Sequence, residues 1–215
     1  MNPNIEYFRN SGYGMMIHFG LYSLLAGKWR WKKSSDYAEW IQSYFAIPIS
    51  EYDRLASVFD PIYFDAEEIA RLAKECGMGY IVVTTKHHDG FALFRSAVDG
   101  YNAADATPCG RDLIGELAEA CRKYGLKLGF DYHNIGGFKP SKHGLYESAC
   151  TLNHSWGFSY RDQDWITPEK LAENRKRLNS LGINYLVNLG PDGLGRIPGP
   201  SADILRRAAE IYGTI

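Results

Sequence analysis

The chain has 215 residues, of which 45% are hydrophobic and 23% charged, and its formal net charge is −1. This length and composition suit one domain over 1–215 with a sizeable core. The near-neutral charge offers no basic surface for nucleic acid, and no apolar run is long enough to cross a bilayer. The amino-terminal stretch has no basic region followed by an apolar run. We therefore expect a cytoplasmic protein without a nucleic-acid or membrane partner.

The cysteine and aromatic content further limits the kinds of site that the sequence predicts. The four cysteines, Cys76, Cys109, Cys121 and Cys150, form no Cys-x-x-Cys pair. A zinc site or a disulfide framework is therefore not expected. The chain also has 15 Tyr, 10 Phe and 5 Trp. Aromatic faces are common in carbohydrate-binding sites and in protein cores alike, so this richness is compatible with both roles.

Apolar periodicity and capping residues predict the secondary structure in chain order. The predicted elements are a strand at 13–19, helices at 34–45, 50–59 and 64–77, a strand at 80–85, a helix at 111–125, strands at 126–133 and 149–153, a helix at 167–182, a strand at 184–190 and a helix at 201–213. The predicted N-caps are Ser34 or Ser35, Ser50, Asp65 and Thr167. Helices that alternate with continuous apolar strands are typical of a parallel sheet covered by helices.

Two architectures fit this alternation: an open doubly wound sheet and a (β/α) barrel. No G-x-G-x-x-G follows the first strand and no Walker sequence occurs, which weakens the nucleotide-binding open sheet. Polar residues also gather where the strands end; they are His18, the KHHDG run at 86–90, the DYHN run at 131–134 and Asn188. A barrel would bring these ends into one pocket. We therefore predict an α/β fold of the TIM (β/α) barrel type, reduced to about five recognisable strands.

The run TTKHHDGF places two adjacent imidazoles where a buried strand ends. Neighbouring residues on an extended strand point to opposite sides, although a twist at the strand end could bring both towards one ligand. One interpretation is that either histidine packs in the core and bonds a neighbouring carbonyl. The other is that His87 and His88 form a functional cluster with His18, which also follows a strand. The second interpretation is the one we pursue.

Several motifs together resemble one family. MMIHFGLYSLLAGKW, AEWI, KHHDGF and NLGPDGLGRIP are similar to segments of the α-L-fucosidases of glycoside hydrolase family 29. The resemblance covers nearly all of the chain in two blocks, about 13–133 and 146–215. It implies a (β/α)-barrel variant that removes terminal α-L-fucose with retention of configuration. It also implies a fucosylated oligosaccharide or glycoside as substrate, with no metal or organic cofactor.

The resemblance further implies which side chains contact fucose. They are His18, Glu39, Trp40, His87, His88 and Tyr132. The chemistry is reasonable, because imidazoles and a carboxylate can bond the sugar hydroxyls while an indole covers the methyl group at C5. Without the resemblance, Trp40 would be read equally well as a core residue. Glu39 would be read as a solvated charge.

The sequence departs from the family where the nucleophile is expected. Retaining glycosidases use two carboxyl groups about 5–5.5 Å apart. The family segment with the usual aspartate nucleophile has no counterpart here, nor has the β-sandwich that often follows the barrel. Two residues are left as catalytic candidates. Asp131 ends the strand LKLGFD. It could be a substituted nucleophile, the trace of a junction between two strands, or a polar residue bonded to His133 or Lys86. Glu147 could be the acid/base, or could have a structural hydrogen-bonding role.

The same missing segment would remove strands from the barrel. A closed barrel has eight strands, so a five-stranded remnant leaves the strand at 126–133 with an open edge. Unless another element covers it, we expect this edge to make the protein self-associate as a homo-oligomer.

Three functional hypotheses remain. The first is an exo-acting fucosidase, with activity lowered by the changed catalytic residues. The second is a non-catalytic member of the family that binds fucose and has lost the nucleophile. The third is a metal-dependent hydrolase that uses His18, His87, His88 and Asp89. The third is the weakest, because adjacent histidines rarely ligate one ion together and no His-x-His pair occurs.

Overall fold

The computed structural model describes residues 3–34, 37–132 and 144–214. Its strands are β1 (Tyr13–Ile17), β2 (Lys28–Trp29), β3 (Lys32–Lys33), β4 (Tyr80–Lys86), β5 (Lys127–Tyr132), β6 (Tyr146–Thr151) and β7 (Ile183–Leu189). Its α-helices are α1 (Pro3–Ser11), α2 (Tyr22–Leu25), α3 (Ile41–Tyr44), α4 (Ile49–Tyr52), α5 (Ala66–Glu75), α6 (Leu113–Tyr124), α7 (Pro168–Ser180) and α8 (Gly199–Tyr212). Two 3-10 helices span Ala38–Trp40 and Asp53–Val58. None of the helices described is long and apolar enough to traverse a bilayer.

Five strands form one parallel sheet in the order β5-β4-β1-β7-β6, while β2 and β3 form a separate antiparallel hairpin. The five sheet strands are those that the sequence predicts. The central strand is β1, where Gly14 lies between Tyr80 of β4 and Leu186 of β7. All five strands run the same way, so their carboxyl ends lie at one end of the sheet.

The two faces of the sheet bury different residues, because successive side chains alternate along a strand. On one face, Tyr13, Met15 and Ile17 join the main core with apolar residues of α5, α6, α7 and α8. The opposite face buries a smaller cluster of Met16, Tyr80 and Leu186, against which Phe8 of α1 packs. This second face is the one that would point into a closed barrel.

Predicted helix starts are confirmed where a side chain caps the helix. Asp65 accepts a hydrogen bond from the Glu68 amide at 3.0 Å, and Thr167 accepts one from the Lys170 amide at 3.2 Å. Each bond satisfies an amide that has no partner within its own helix. Pro168 follows its cap directly, where the missing N–H costs nothing.

Two helices differ from the prediction in their bounds and in their helix type. The helix expected at 34–45 is a 3-10 turn followed by the short α3, and the Ser34 amide bonds the Gly27 carbonyl instead of starting a helix. Ser35 lies outside the described residues. The helix expected at 50–59 starts earlier, at α4, with Pro48 in the capping position instead of Ser50. It then tightens into a 3-10 helix. Helix α1 and the β2–β3 hairpin were not predicted from the sequence.

The predicted open edge is present. β5 and β6 are the outermost strands of the sheet, and no described strand pairs with the outer side of either. Both carry a large exposed side chain, since Phe130 of β5 is 63% exposed and Tyr146 of β6 is 64% exposed. The sheet therefore ends in two unpaired edges among the residues that the structure describes. His133 and Asn134, which the sequence adds to the polar strand ends, lie outside those residues.

Gly14 provides a test of this packing. A Cβ at Gly14 would lie 2.4 Å from the ring of Tyr80, which is buried in the smaller cluster. We expect Gly14→Ala to lower the free energy of unfolding by about 1–3 kcal/mol, because the ring must move from a packed site. Gly100→Ala is the matched control, because nothing lies near its Cβ position. Urea unfolding measures both variants, and equal stabilities would contradict this packing.

Candidate active site

The candidate site lies at the carboxyl end of the sheet. His18 directly follows β1, His87 and His88 directly follow β4, and Asn188 lies near the end of β7. These strands are neighbours, so their ends place the side chains side by side. The His18 amide donates to the Leu189 carbonyl at 2.9 Å, which continues the β1–β7 pairing by one residue.

Four of the predicted sugar-contacting residues meet here, and we refer to His18, Trp40, His87 and His88 as the ring cluster. The rings of His87 and His88 have centroids 4.0 Å apart. The Trp40 indole stacks on His88 at 4.0 Å, and its centroid is 6.3 Å from that of His87. His18 and His87 are separated by 6.0 Å. Residues distant in sequence are thus gathered in one place at the end of the sheet.

A tight turn explains how adjacent histidines share that region. The Gly90 amide donates to the His87 carbonyl at 3.0 Å, and Gly90 has a positive φ of 82° that favours glycine. The Asp89 carboxylate accepts bonds from the Phe91 amide at 3.0 Å and from the Tyr52 hydroxyl at 3.1 Å. The chain leaves the extended conformation at His87. The expected twist at the strand end is therefore replaced by an anchored turn.

Asp89 is the anchor of this turn and is only partly accessible to solvent. Burial raises the pKa of its carboxyl to about 6, while the bonds from Phe91 and Tyr52 act in the opposite direction. The metal hypothesis gave Asp89 a ligand role. Among the residues described, however, no three His, Cys, Asp or Glu side chains are grouped so as to hold a metal ion. The observed contacts favour support of the turn.

A hydrogen-bond chain fixes the orientation of His18. The Asn188 side-chain amide donates to the Trp156 carbonyl at 2.8 Å, which turns its Oδ1 towards the His18 ring. His18 Nδ1 lies 2.9 Å from that oxygen, so Nδ1 carries the proton. In the neutral ring, Nε2 is then the acceptor nitrogen. The Trp156 ring also lies 5.2 Å from His18, although the sequence analysis gave Trp156 no role.

Glu39 is placed beside the ring cluster but is almost fully buried, with 3% of its surface exposed. Its carboxylate accepts a bond from the Gly157 amide at 2.8 Å and a longer one, 3.4 Å, from the Ser155 hydroxyl. The hydroxyl of Ser155 in turn accepts from the Ala38 amide at 2.9 Å. These contacts connect residues 38–40 to residues 155–157. They also compensate for the burial of the Glu39 carboxylate.

Tyr22 lies beneath the cluster and was missed, although it follows the HFG motif closely. It is fully buried, and its ring centroid is 5.1 Å from that of His87. Burial raises the pKa of its hydroxyl, and the nearby carboxylates of Asp89, Glu39 and Asp131 raise it further. Tyr22 is therefore a neutral phenol surrounded by acidic groups.

Asp131 lies at the same end of the sheet as the ring cluster. It pairs with Thr84 of β4, and the Thr85 hydroxyl donates to its backbone carbonyl at 3.3 Å. Tyr132 follows and pairs with Lys86, but its side chain lies outside the described part of the structure. The structure thus brings Asp131 to the site and leaves the predicted role of Tyr132 as a prediction.

Glu147 lies at the opposite end of the sheet. It pairs with Asn184 near the start of β7, whereas His18 bonds Asn188 near its end. These two levels are about 13 Å apart along the strand, so Glu147 cannot form a close carboxyl pair with Asp131. Its Oε2 instead accepts a bond from the Tyr80 hydroxyl at 2.5 Å. The structure therefore does not bring these two carboxyls together. The structural alternative for Glu147 fits its contacts, and its catalytic role stays a prediction.

The Asp89 anchor predicts a dependence of stability on pH. The folded state raises the pKa of this carboxyl from 3.8 to about 6, so it binds a proton more tightly than the unfolded chain. The resulting stabilisation is present below pH 4 and is lost as the pH rises through 6, by at most about 3 kcal/mol. Asp89→Asn, which resembles the neutral acid, should flatten this loss in urea unfolding between pH 4 and 7. An unchanged pH profile would contradict the assignment.

Comparison with known proteins is consistent with this arrangement. A family model described as Alpha-L-fucosidase matches residues 1–144. The rat tissue alpha-L-fucosidase is 35% identical over 141 residues, which are 62% of this chain and 30% of that protein. The human tissue alpha-L-fucosidase is 33% identical over 186 residues, or 83% of this chain and 37% of that protein. The chain thus spans well under half the length of these relatives.

Solved structures show the same fold. The alpha-L-fucosidase AlfC from Lactobacillus casei in complex with α-L-fucose product has a TM-score of 0.94 and 39% identity, with 99% of both chains covered. An alpha-L-fucosidase from Vibrio sp. strain EJY3, at 24% identity and a TM-score of 0.93, supports the fold alone. The sheet is therefore an incomplete (β/α) barrel of the predicted type. Since the family model covers more than half of the sequence, the chain belongs to the alpha-L-fucosidase family.

Proposed function

We propose that this protein binds the terminal α-L-fucosyl group of fucosylated glycosides and hydrolyses it as a retaining fucosidase of lowered activity. The observation that carries the proposal is the ring cluster, in which His18, Trp40, His87 and His88 meet at the carboxyl end of the sheet. Ligand sites in barrels form at this end. AlfC, which resembles the chain over its whole length, was solved with α-L-fucose as product.

The cluster suits a deoxy-sugar for reasons of chemistry. Imidazole nitrogens can donate to and accept from the sugar hydroxyls, and His18 has its proton fixed on Nδ1 by Asn188. Trp40 is 38% exposed and stacked on His88, so its remaining surface can cover the apolar face that carries the methyl group. Fucose has both kinds of surface. A fully hydroxylated hexose has no methyl group for the indole.

For hydrolysis we assign Asp131 as nucleophile. Its carboxylate would attack the anomeric carbon and displace the aglycone oxygen, and water would then release fucose from the ester with net retention. The departing oxygen needs a proton unless the aglycone is a good leaving group. Since Glu147 lies at the other end of the sheet, it cannot supply that proton. Hydrolysis without a contribution from Glu147 as general acid forgoes a factor that is typically about 10²–10⁴.

A second candidate function is fucose binding without hydrolysis. The position of Glu147 beside Tyr80 favours it, because the chain then retains the predicted sugar contacts but has no close carboxyl pair. The two functions make different predictions for fucosides with activated leaving groups.

The first prediction concerns the leaving group. We expect 4-nitrophenyl α-L-fucoside to be hydrolysed with retention, and kcat/KM across a series of aryl fucosides to fall steeply as the phenol becomes less acidic. Asp131→Asn should lower kcat/KM by about 10³-fold or more while fucose still binds. Glu147→Gln should leave the rate unchanged. Release of nitrophenol and the NMR signal of the first-formed anomer are the measurements.

Each other outcome selects a different conclusion. Fucose binding with no turnover of any aryl fucoside would favour the second candidate function. Equal losses in Asp131→Asn and Glu147→Gln would contradict the assignment of the nucleophile. Absence of both binding and turnover would reject both functions.

The second prediction concerns the indole. Trp40→Ala should weaken fucose binding about tenfold, because the sugar loses its apolar wall. Trp31→Ala is the matched control, since that indole is 94% exposed and lies in the β2–β3 turn. Isothermal calorimetry with L-fucose, and with L-galactose as the analogue that has a hydroxymethyl group, measures both variants. Equal affinities of Trp40→Ala and the parent protein would place the sugar elsewhere.

A further inference from the structure

The β2–β3 hairpin combines positive charge with aromatic rings. Residues 28–33 read KWRWKK, which is four cations and two indoles in six positions. These cations exceed the carboxylates of Glu51, which Arg30 bonds, and of Asp36, which follows in the sequence. The hairpin region is therefore positive, although the formal net charge of the whole chain is −1.

The turn of this hairpin presents an indole to solvent. The pairing of β2 with β3 leaves Arg30 and Trp31 as a two-residue turn. Arg30 has a positive φ of 52°, which glycine adopts more readily than other residues. Trp31 is 94% exposed. Strained backbone and exposed apolar surface are both concentrated at functional sites, so this turn is a candidate for ligand contact.

The base of the hairpin is attached to the rest of the protein. Trp29 is partly buried and packs against the main core. The Arg30 guanidinium lies 5.7 Å from the centre of the Trp29 ring and donates to the Glu51 carboxylate at 2.5 Å. Trp31 is therefore carried by a hairpin that contacts both the core and α4.

A cavity of about 520 Å³ lies between the hairpin and the segment that joins α3 to α4, and we refer to it as the hairpin cavity. This volume is within the range of small-molecule sites, roughly 300–1,000 Å³. Trp29 and Lys32 pair directly across the hairpin, and Glu51, which also lines the cavity, is bonded to Arg30. The lining includes Trp29, Arg30, Trp31, Lys32, Phe45 and Ile47.

Both walls of the hairpin cavity are connected to the ring cluster. Phe45 follows Trp40 by five residues across α3, which is a rise of about 8 Å. On the other wall, Glu51 precedes Tyr52, whose hydroxyl donates to Asp89. The cavity therefore lies near the ring cluster, in the region where the remainder of a fucosylated glycan would extend.

We propose that the hairpin cavity binds an anionic sugar, that is, a sugar with a carboxylate or sulfate group. The apolar face of the sugar ring stacks on Trp31, and the anionic group accepts a charge-assisted hydrogen bond from the Lys32 ammonium. The assignment of this sugar to the glycan that carries the fucosyl group rests on the proposed function. The substrates are then acidic fucosylated glycans.

An anionic membrane surface is the alternative partner, because basic residues and Trp also occur together in interfacial segments. The cavity favours a saccharide. A lipid surface requires no concave site, whereas here both indoles and two cations line a space of ligand size.

Isothermal calorimetry with oligosaccharides that contain no fucose tests the site. We expect the parent protein to bind tetragalacturonate, which carries carboxylates, or a κ-carrageenan tetrasaccharide, which carries sulfates. Neutral chitotetraose should bind at least about tenfold more weakly, because it has no group for the lysine. The two acidic probes distinguish the sources of the negative charge.

Two variants separate the indole from the charge. Trp31→Ala should weaken binding of the acidic probe about tenfold without any change in charge, and Lys32→Ala should also weaken it. Lys33→Ala is the matched control, because Lys33 pairs with Lys28 on the other face of the hairpin and should not contact the sugar. Since Trp31 is exposed, Trp31→Ala should unfold in urea like the parent protein.

Binding of neither acidic probe, or equal binding of chitotetraose, would overturn the proposal. So would a parent-like affinity of Trp31→Ala, or a loss in Lys33→Ala as large as in Lys32→Ala, because either result indicates unspecific attraction. Binding to phosphatidylserine vesicles but to neither probe would assign the hairpin to a membrane surface instead. Titration of the same proteins with L-fucose reports on the ring cluster, so failure of the proposed function is distinguishable from failure of this site.

Discussion

The turn at 87–90 is the constraint on which the candidate site depends. An extended strand would send adjacent side chains to opposite faces. The bond from the Gly90 amide to the His87 carbonyl ends the strand, and Asp89 holds the turn against Tyr52 and the Phe91 amide. The two imidazoles then lie 4.0 Å apart and Trp40 can stack on one of them. A small backbone feature thus converts a strand end into part of the candidate site.

Parallel pairing decides which polar residues can join that region. Residues near the ends of β1, β4, β5 and β7 lie at one level, so His18, Asp131 and Asn188 lie at the same end of the sheet. Glu147 belongs to the same sheet but to its other end. Under the proposed function, the residues assigned to sugar contact and the proposed nucleophile share one end of the sheet, whereas Glu147 lies at the other end.

Sequence reasoning succeeded where local signals determine the structure. Periodicity and caps located α5 and α7, with Asp65 and Thr167 in the predicted capping roles. It failed at 34–45, because contacts from a distant segment, such as the Ser155 hydroxyl with the Ala38 amide, shape that region. The position of Glu147 within the sheet was not predictable from the sequence either. A motif resemblance identifies a residue type, but only strand register shows at which end of the sheet that residue lies.

The reduced number of strands also changes how the inward face of the sheet is buried. In a closed barrel the inward face of the sheet is enclosed on every side. Among the described residues, β5 and β6 end the sheet, and Met16, Tyr80 and Leu186 form the apolar cluster that is buried on that face. Gly14 admits the Tyr80 ring to this cluster, and the ring hydroxyl holds Glu147 on the outermost strand. The Glu147 carboxylate is thereby held at the lower end of the sheet, away from the ring cluster at the upper end.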